Sequence, residues 1–174
     1  MTDFKDEVRN RIASYAGETE MRKTAADFLR ASTRPKYCYN FSWQGRPVIQ
    51  YPQDIVAMQE LIWSIKPDLI IETGIAHGGS LIFSASMLAL IDMCDAIEKG
   101  SSIDPARSKR KVLGIDIDIR DHNRAAVEAH PMFSRIEMIQ GSSIDDAIIT
   151  QVKKIADQYN CVMVCLDSNH THDH

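Results

Sequence analysis

The sequence lacks several features that mark special classes of protein. Its four cysteines contain no C-x-x-C pair, so neither a zinc ribbon nor a thioredoxin-type motif is indicated. The formal net charge is -4, which argues against a non-specific nucleic-acid binder, because such a protein needs a basic face. The N-terminal segment is charged and does not resemble a signal peptide, and no apolar run approaches the length that spans a bilayer. These absences predict a protein of a reducing, cytoplasmic compartment with no nucleic-acid partner.

Two segments of different character make up the chain. Residues 1–34 are polar with apolar positions at helical spacing, which predicts one or two amphipathic helices outside the main sheet. Residues 35–174 are expected to form the main domain. This segment opens with an aromatic stretch that either lines a ligand pocket or covers one end of the core, with a turn over residues 45–47. A helix over residues 55–65 follows, and Asp54 is expected to cap it.

From residue 68 onward, apolar runs alternate with helical patterns. The runs are nearly continuous in branched aliphatic residues, which is typical of parallel strands covered on both faces. Right-handed crossovers then produce an α/β fold with a doubly wound, mostly parallel sheet and a site at the carboxyl ends of the strands. The expected strands are 68–72, 111–117, 136–140 and 161–167, the expected helices are 80–93, 120–129 and 145–159, and a polar loop is expected over 97–109.

The most informative stretch is the passage from strand to helix over residues 68–81. The apolar run ends on Glu72, breaks into glycines and then enters the helix. Glycine permits positive φ and close approach of the backbone to a ligand, and the start of a helix offers unpaired N–H groups. The carboxylate of Glu72 would repel a phosphate and attract a cation. The stretch therefore indicates a nucleoside ligand with positive charge, such as S-adenosylmethionine with its sulfonium and amino groups.

The other predicted strands also end on polar residues, and a parallel sheet brings these ends to one edge. Asp116 closes the second strand, where an acid typically accepts both ribose hydroxyls. Asp118 is the alternative if the strand register differs. The third strand is followed by Ser142 and Ser143, and the fourth ends on Asp167. Four polar strand ends together are more specific than any one motif.

These residues resemble a known family. The stretch over residues 68–81 resembles motif I of the Rossmann-like methyltransferases that use S-adenosylmethionine. Together with the segments 50–54 and 166–170, it resembles the family called cephalosporin hydroxylase or rhamnosyl O-methyltransferase, and the likeness covers roughly residues 40–174. The resemblance implies a Rossmann-like methyltransferase fold. Through the similar magnesium-dependent catechol-type enzymes, it also implies a cofactor site and a metal site.

The resemblance assigns roles to the loop after the first strand. Glu72 would lie near the methionyl amino group, and Gly74 beside the ligand, where a Cβ would collide. Other roles stay open, because Glu72 could form a structural salt bridge and Ser80 could simply cap the helix. The serines after the third strand would contact adenine or, alternatively, form a helix cap. The remaining residues that the resemblance assigns to the cofactor are Ala76, His77, Gly78, Ser80, Ser142 and Ser143.

The resemblance places the catalytic groups at the end of the fourth strand. Asp167 would be a magnesium ligand, because magnesium prefers hard oxygen ligands. His170 would be the general base at a position where the catechol-type enzymes carry a lysine, since the unperturbed pKa of histidine lies near neutrality. A zinc site of His170, His172 and His174 is the competing interpretation, although no cysteine or second cluster accompanies these histidines.

The predicted function is O-methylation by S-adenosylmethionine, with magnesium, of a hydroxyl on a small molecule or a glycolipid sugar. The second case would place the protein in lipid biosynthesis. The resemblance implies further strands, so we expect the domain to be truncated after the fourth. One alternative is a hydroxylase or other oxidoreductase that binds a nicotinamide, although the loop is not G-x-G-x-x-G. Another is a nucleoside-binding fragment without catalysis. A homo-oligomer is compatible with each of them.

Overall fold

The computed structural model describes residues 3–168, and the chain divides into two compact units, residues 1–38 and residues 39–174. In the first unit, helix α1 spans Phe4–Ser14 and helix α2 spans Thr19–Thr33. The sequence predicted one or two helices in this segment, and two are present.

The second unit opens with a β-hairpin. Strand β1, Phe41–Trp43, pairs antiparallel with strand β2, Arg46–Val48. The two residues between them, Gln44 and Gly45, both have positive φ, as a two-residue type I′ turn requires. The turn thus lies at residues 44–45 and begins one residue earlier than the predicted turn over residues 45–47. The other two predicted turn residues, Arg46 and Pro47, are paired in β2.

Helix α3, Pro52–Ile65, begins earlier than predicted. Pro52 lies in the first turn, where its fixed φ suits a helix and its missing N–H group is not needed. Tyr51 is therefore the N-cap residue. Asp54 lies within the first turn, and its prediction as the cap is wrong. The helix ends at Lys66, which adopts a left-handed conformation.

Within the described residues, the main sheet has four parallel strands joined by three helices, as predicted. The elements in chain order are β3 (Leu69–Thr73), α4 (Gly79–Lys99), β4 (Lys111–Asp116), α5 (Asp121–Glu128), β5 (Ile136–Gln140), α6 (Asp146–Ala156) and β6 (Val162–Leu166). The strand order is β5-β4-β3-β6. The chain builds outward from β3 to β5 and then crosses back to add β6 on the other side of β3. This reversal is the doubly wound topology.

Helices pack against both faces of the sheet. On one face, Ile70 belongs to a core that includes Leu81 of α4. On the other face, Leu113 belongs to a core against which Ile148 of α6 packs. The connections before and after the reversal use opposite faces because each crossover is right-handed. Part of the second face stays exposed at β6, namely Val162, Val164 and Leu166.

Helix α4 differs from its prediction in length and character. It continues past the predicted end at Met93 to Lys99, where Gly100 stops it in a left-handed conformation. By length and composition it could cross a membrane, although the sequence was expected to contain no such run. Half of that apolar window is buried inside the protein, and the helix contacts α3, β1, β2 and β4. These contacts are those of a core helix.

Candidate ligand-binding site

A cavity of about 710 Å³ lies at the carboxyl edge of the sheet. Its volume is within the roughly 300–1,000 Å³ that is usual for small-molecule sites. The ends of all four parallel strands contribute to its lining, together with β2 and the segment that follows it. The predicted site residues that line it are Gly74, Ala76, His77, Ser80, Asp116, Ser142, Ser143 and Asp167.

Gly74 allows the ends of β3 and β6 to approach each other. Its φ is +92°, and a Cβ built on it would lie 2.1 Å from the carbonyl oxygen of Asp167. At the same place the amide of Asp167 donates to the carbonyl oxygen of Thr73 at 3.1 Å. A Cβ at this position was expected to collide with the ligand, whereas in the structure it would collide with the neighbouring backbone.

The rest of this loop also has unusual backbone angles. Gly78, the N-cap residue of α4, has φ +80°, and a Cβ there would lie 2.3 Å from Cγ2 of Val127. Gly78 therefore shapes the loop from outside the cavity lining. Ala76 has φ +46° although it carries a Cβ, a conformation that costs about 1–2 kcal/mol. Such a loop needs specific contacts to hold it.

Asp116 supplies part of that support. Its Oδ2 accepts hydrogen bonds from the amides of Ile75 at 2.7 Å and Ala76 at 3.3 Å. Its Oδ1 accepts from the amide of Asp118 at 3.1 Å. The side chain of Asp118 is exposed, lies outside the cavity lining and comes within 4.0 Å of Arg120. Of the two register alternatives, Asp116 is the one whose carboxylate lies at the cavity.

Asp116→Ala is expected to weaken nucleoside binding at least tenfold more than Asp118→Ala. A hydrogen bond to a charged group contributes about 1.5–3 kcal/mol, and the first substitution removes both the acceptor offered to the ligand and the support of the loop. Titration calorimetry with S-adenosylhomocysteine measures the difference. Equal losses in the two variants would show that the ligand does not use the acid at the end of β4.

Glu72 lies in the protein interior rather than in the cavity lining. It is only 4% exposed, and the hydroxyl of Ser80, which does line the cavity, donates to its Oε1. Burial raises the pKa of Glu72 to about 7, the Ser80 hydrogen bond opposes this rise, and the negative charge of Asp167 adds to it. Glu72 is thus one hydrogen bond away from the cavity and exchanges its proton near neutral pH. Ser80 is not the cap of α4, because Gly78 occupies that position.

The turn after β5 leaves its serines at the cavity. Ser142 and Ser143 line it, while the N-cap of α6 is Asp145, whose Oδ1 accepts from the amide of Ala147 at 2.8 Å. The alternative interpretation of a serine cap is therefore wrong. Both serines line the cavity, and their contact with adenine stays a prediction.

Comparison with known proteins identifies the family. A family model described as rhamnosyl O-methyltransferase/CmcI matches residues 35–174, which is most of the chain. The chain belongs to this family.

Two curated relatives in this family are rhamnosyl O-methyltransferases of mycobacteria. That of Mycobacterium leprae (strain TN) is 27% identical over 131 residues, which are 75% of this chain and 48% of the relative. That of Mycobacterium tuberculosis (strain ATCC 25618 / H37Rv) is 27% identical over 170 residues, which are 94% of this chain and 60% of the relative. The chain thus spans about half the length of the curated relatives it matches.

Solved structures of CmcI share the fold of this rhamnosyl O-methyltransferase/CmcI family member. The match to an apo structure covers 78% of this chain and 48% of the CmcI chain, with a TM-score of 0.52 and 17% identity. The match to a structure with Mg and SAM covers 77% of this chain and 48% of the CmcI chain, with the same TM-score and identity. At such low identity the likeness establishes the fold alone.

The predicted metal site is represented in the described residues by one carboxylate. Asp167 is exposed at the end of β6, and its Oδ2 accepts a hydrogen bond from Nε2 of Gln50 at 2.8 Å. Among residues 3–168, no group of three or more His, Cys, Asp or Glu side chains is placed to hold a metal ion. His170 and the competing histidine cluster of His170, His172 and His174 lie outside the described residues.

Several cavity or loop residues of this family member were missed from the sequence. Gln50 contacts Asp167, and Ile117 and Ile144 are exposed apolar residues that line the cavity. Arg46 and Asn123 bind the carbonyl oxygens of the loop. Ile117 was detectable as the residue directly after the acid that ends β4. The contacts of Arg46 and Asn123 join positions far apart in the chain, and no local pattern signals them.

Proposed function

We propose that this chain binds S-adenosylmethionine in the cavity at the carboxyl edge and forms the cofactor-binding part of an O-methyltransferase. The observation that carries the proposal is the pair of acids at adjacent strand ends. Glu72 on β3 and Asp116 on β4 flank the glycine loop, one within a hydrogen bond of the cavity and one lining it. Two carboxylates suit a cationic nucleoside better than a pyrophosphate.

The residues present fit such a ligand. Asp116 would accept the ribose hydroxyls while it holds the loop, and Ser142 and Ser143 offer hydroxyl groups for the base. Ser80, with Glu72 behind it, offers a negative end for the methionyl amino group. The exposed apolar side chains of Ile117, directly after β4, and Ile144, between β5 and α6, offer a surface for the flat base. This division of one cavity into acidic and apolar parts matches the chemistry of the nucleoside.

In the proposed reaction the cofactor supplies an electrophilic methyl group. The residues of this chain contribute mainly by positioning, which lowers the barrier when two bound partners are held in line. Asp167 and Gln50, which are joined by a hydrogen bond, line the same cavity as the loop between β3 and α4. An acceptor hydroxyl bound beside them would therefore lie next to the nucleoside. His170 is proposed as the group that removes the hydroxyl proton.

Magnesium fits this arrangement in a limited way. It commonly uses one or two carboxylates and keeps water or substrate oxygens as its other ligands. Asp167 would supply one such carboxylate. The name of the CmcI structure with Mg and SAM supports the metal proposal, and the names of the mycobacterial relatives support a sugar hydroxyl as the acceptor. A glycolipid sugar would place the enzyme in lipid biosynthesis.

Calorimetry on the chain tests the cofactor directly. We expect S-adenosylmethionine and S-adenosylhomocysteine to bind and NAD to give no heat of binding. The demethylated product should bind comparably, because it keeps the ribose, the base and the amino group. Binding of NAD without a response to either sulfur nucleoside would overturn the proposal and favour the oxidoreductase alternative.

A further inference from the structure

We propose that Arg46 and Asn123 are positioning residues for the ligand-binding loop, which is the segment 74–78 between β3 and α4. Together they hold the carbonyl groups of Ala76 and His77 and so keep the loop in the conformation that receives the nucleoside. The proposal rests on the proposed function for the identity of the ligand. The contacts themselves are a feature of the structure, and we call the pair Arg46 and Asn123, with the two carbonyl groups that it holds, the carbonyl clamp.

Four hydrogen bonds build the clamp. Nδ2 of Asn123 donates to the carbonyl oxygen of Ala76 at 2.8 Å, and Nε of Arg46 donates to that of His77 at 3.0 Å, where Nη2 of Arg46 donates as well. The two side chains also meet, because an Nη of Arg46 donates to Oδ1 of Asn123 at 3.2 Å. Asn123 is 4% exposed, so its amide is committed to these protein partners. Two consecutive carbonyls are therefore held by one connected pair.

The loop needs this support because its conformation is not a relaxed one. Ala76 has φ +46°, and without outside contacts the backbone would favour an ordinary negative φ. Asp116 holds the amides of Ile75 and Ala76 from the other side. The end of β4 thus holds the amides of Ile75 and Ala76, whereas α5 and β2 hold the carbonyls of Ala76 and His77.

Arg46 lies on the β1–β2 hairpin, which is held in place by contacts with α4. A two-stranded hairpin is marginal alone, but this one packs on α4. Nε1 of Trp43 donates to Oγ of Ser86 at 2.9 Å, and its ring meets that of Phe83 edge-on with centroids 4.9 Å apart. A Cβ on Gly79 would lie 2.1 Å from the carbonyl oxygen of Pro47. The hairpin that carries the clamp also lines the cavity, so Arg46 links that wall to the cofactor loop.

Three variants separate the contacts. Asn123→Asp keeps an acceptor for Arg46 but removes the donor to Ala76. Arg46→Ala removes the donors to His77 and to Asn123, and Arg46→Lys keeps one positively charged donor. Two quantities are measured for each: the amide exchange rates of the loop without ligand, by NMR, and the affinity for S-adenosylhomocysteine, by calorimetry.

We expect the amides of Ile75 and Ala76 to exchange at least tenfold faster in Arg46→Ala and Asn123→Asp. The amide of Leu113 in the sheet core should exchange as in the wild type. Affinity should fall about tenfold or more in both variants, and Arg46→Lys should recover part of it. The double variant should lose less than the product of the two single losses, since the side chains act as one unit.

Asn160→Asp, a change of the same kind at an exposed turn before β6, is the matched control and should alter neither quantity. Unchanged loop exchange in Arg46→Ala would overturn the clamp, and so would faster exchange with unchanged affinity. If Asn123→Asp does not fold, the two Arg46 variants still decide. If the wild type binds no sulfur nucleoside, the proposed function fails, whereas loop exchange still supports or refutes the clamp.

Discussion

Gly74→Ala is expected to lower the free energy of unfolding by roughly 2–5 kcal/mol. A residue with a Cβ pays about 1–2 kcal/mol for the positive φ of this position. The Cβ would also lie 2.1 Å from the carbonyl oxygen of Asp167, and only a shift of the β3 or β6 backbone relieves that overlap. Overpacking of this kind costs about 1–3 kcal/mol. Thermal unfolding should show a melting temperature lower by on the order of 10 °C.

Gly45→Ala is the matched control for this substitution. Gly45 has φ +84°, close to the +92° of Gly74, but no atom lies within 4 Å of the Cβ that the substitution would add. It should therefore cost only the conformational part, about 1–2 kcal/mol. Equal losses in the two variants would mean that the backbone beside Asp167 accommodates the added Cβ at no cost in stability.

The strands and their carboxyl ends were predictable because burial on both faces leaves a strong local signal. The run Ile136–Gln140 was predicted with the bounds that β5 has, and β3 differs from its prediction by one residue at each end. The polar residues that follow such runs meet at one edge for topological reasons. This is why Asp116 and Asp167, separated in the chain by α5, β5, α6 and β6, could be placed at one site from the sequence.

The features that the sequence did not predict depend on contacts between residues far apart in the chain, or on which of several neighbouring residues begins a helix. Asp54 was expected to cap α3, but the helix begins at Pro52, whose fixed φ suits the first turn, and Tyr51 is the N-cap residue. The carbonyl clamp joins Arg46 to Asn123 across a separation of 77 residues. Gly74 was expected to make room for a ligand, but the atom it makes room for is the carbonyl oxygen of Asp167, directly after β6.

Glu72→Gln is expected to remove a pH dependence of stability that the wild type shows. The pKa of Glu72 in the folded protein, about 7, lies above its ordinary value of 4.5, so the folded state binds this proton more tightly than the unfolded state does. The resulting stability is complete below pH 4.5 and is lost as the pH rises through 7. The difference corresponds to roughly 3 kcal/mol.

Urea unfolding at several pH values between about 4 and 8 measures this effect. The wild type should lose stability across that range relative to Glu72→Gln, whose amide keeps an oxygen to accept from Ser80 and cannot ionise. Glu60→Gln, at an exposed position on α3, is the control and should follow the wild type. Parallel curves for the wild type and Glu72→Gln would mean that Glu72 does not ionise in this range.

Binding of a cationic ligand should reverse the preference of Glu72 for its proton. A positive amino group near Ser80 favours the ionised carboxylate, so wild-type affinity for S-adenosylhomocysteine should rise as the pH increases from about 6 to 8. Glu72→Gln should bind about tenfold or more weakly at pH 8, because the hydrogen-bond network loses its charge, and its affinity should not change with pH. Calorimetry across this range measures both effects. If the variant instead binds as tightly as the wild type, Glu72 is a structural acid, and recognition of the nucleoside rests on Asp116 at the next strand.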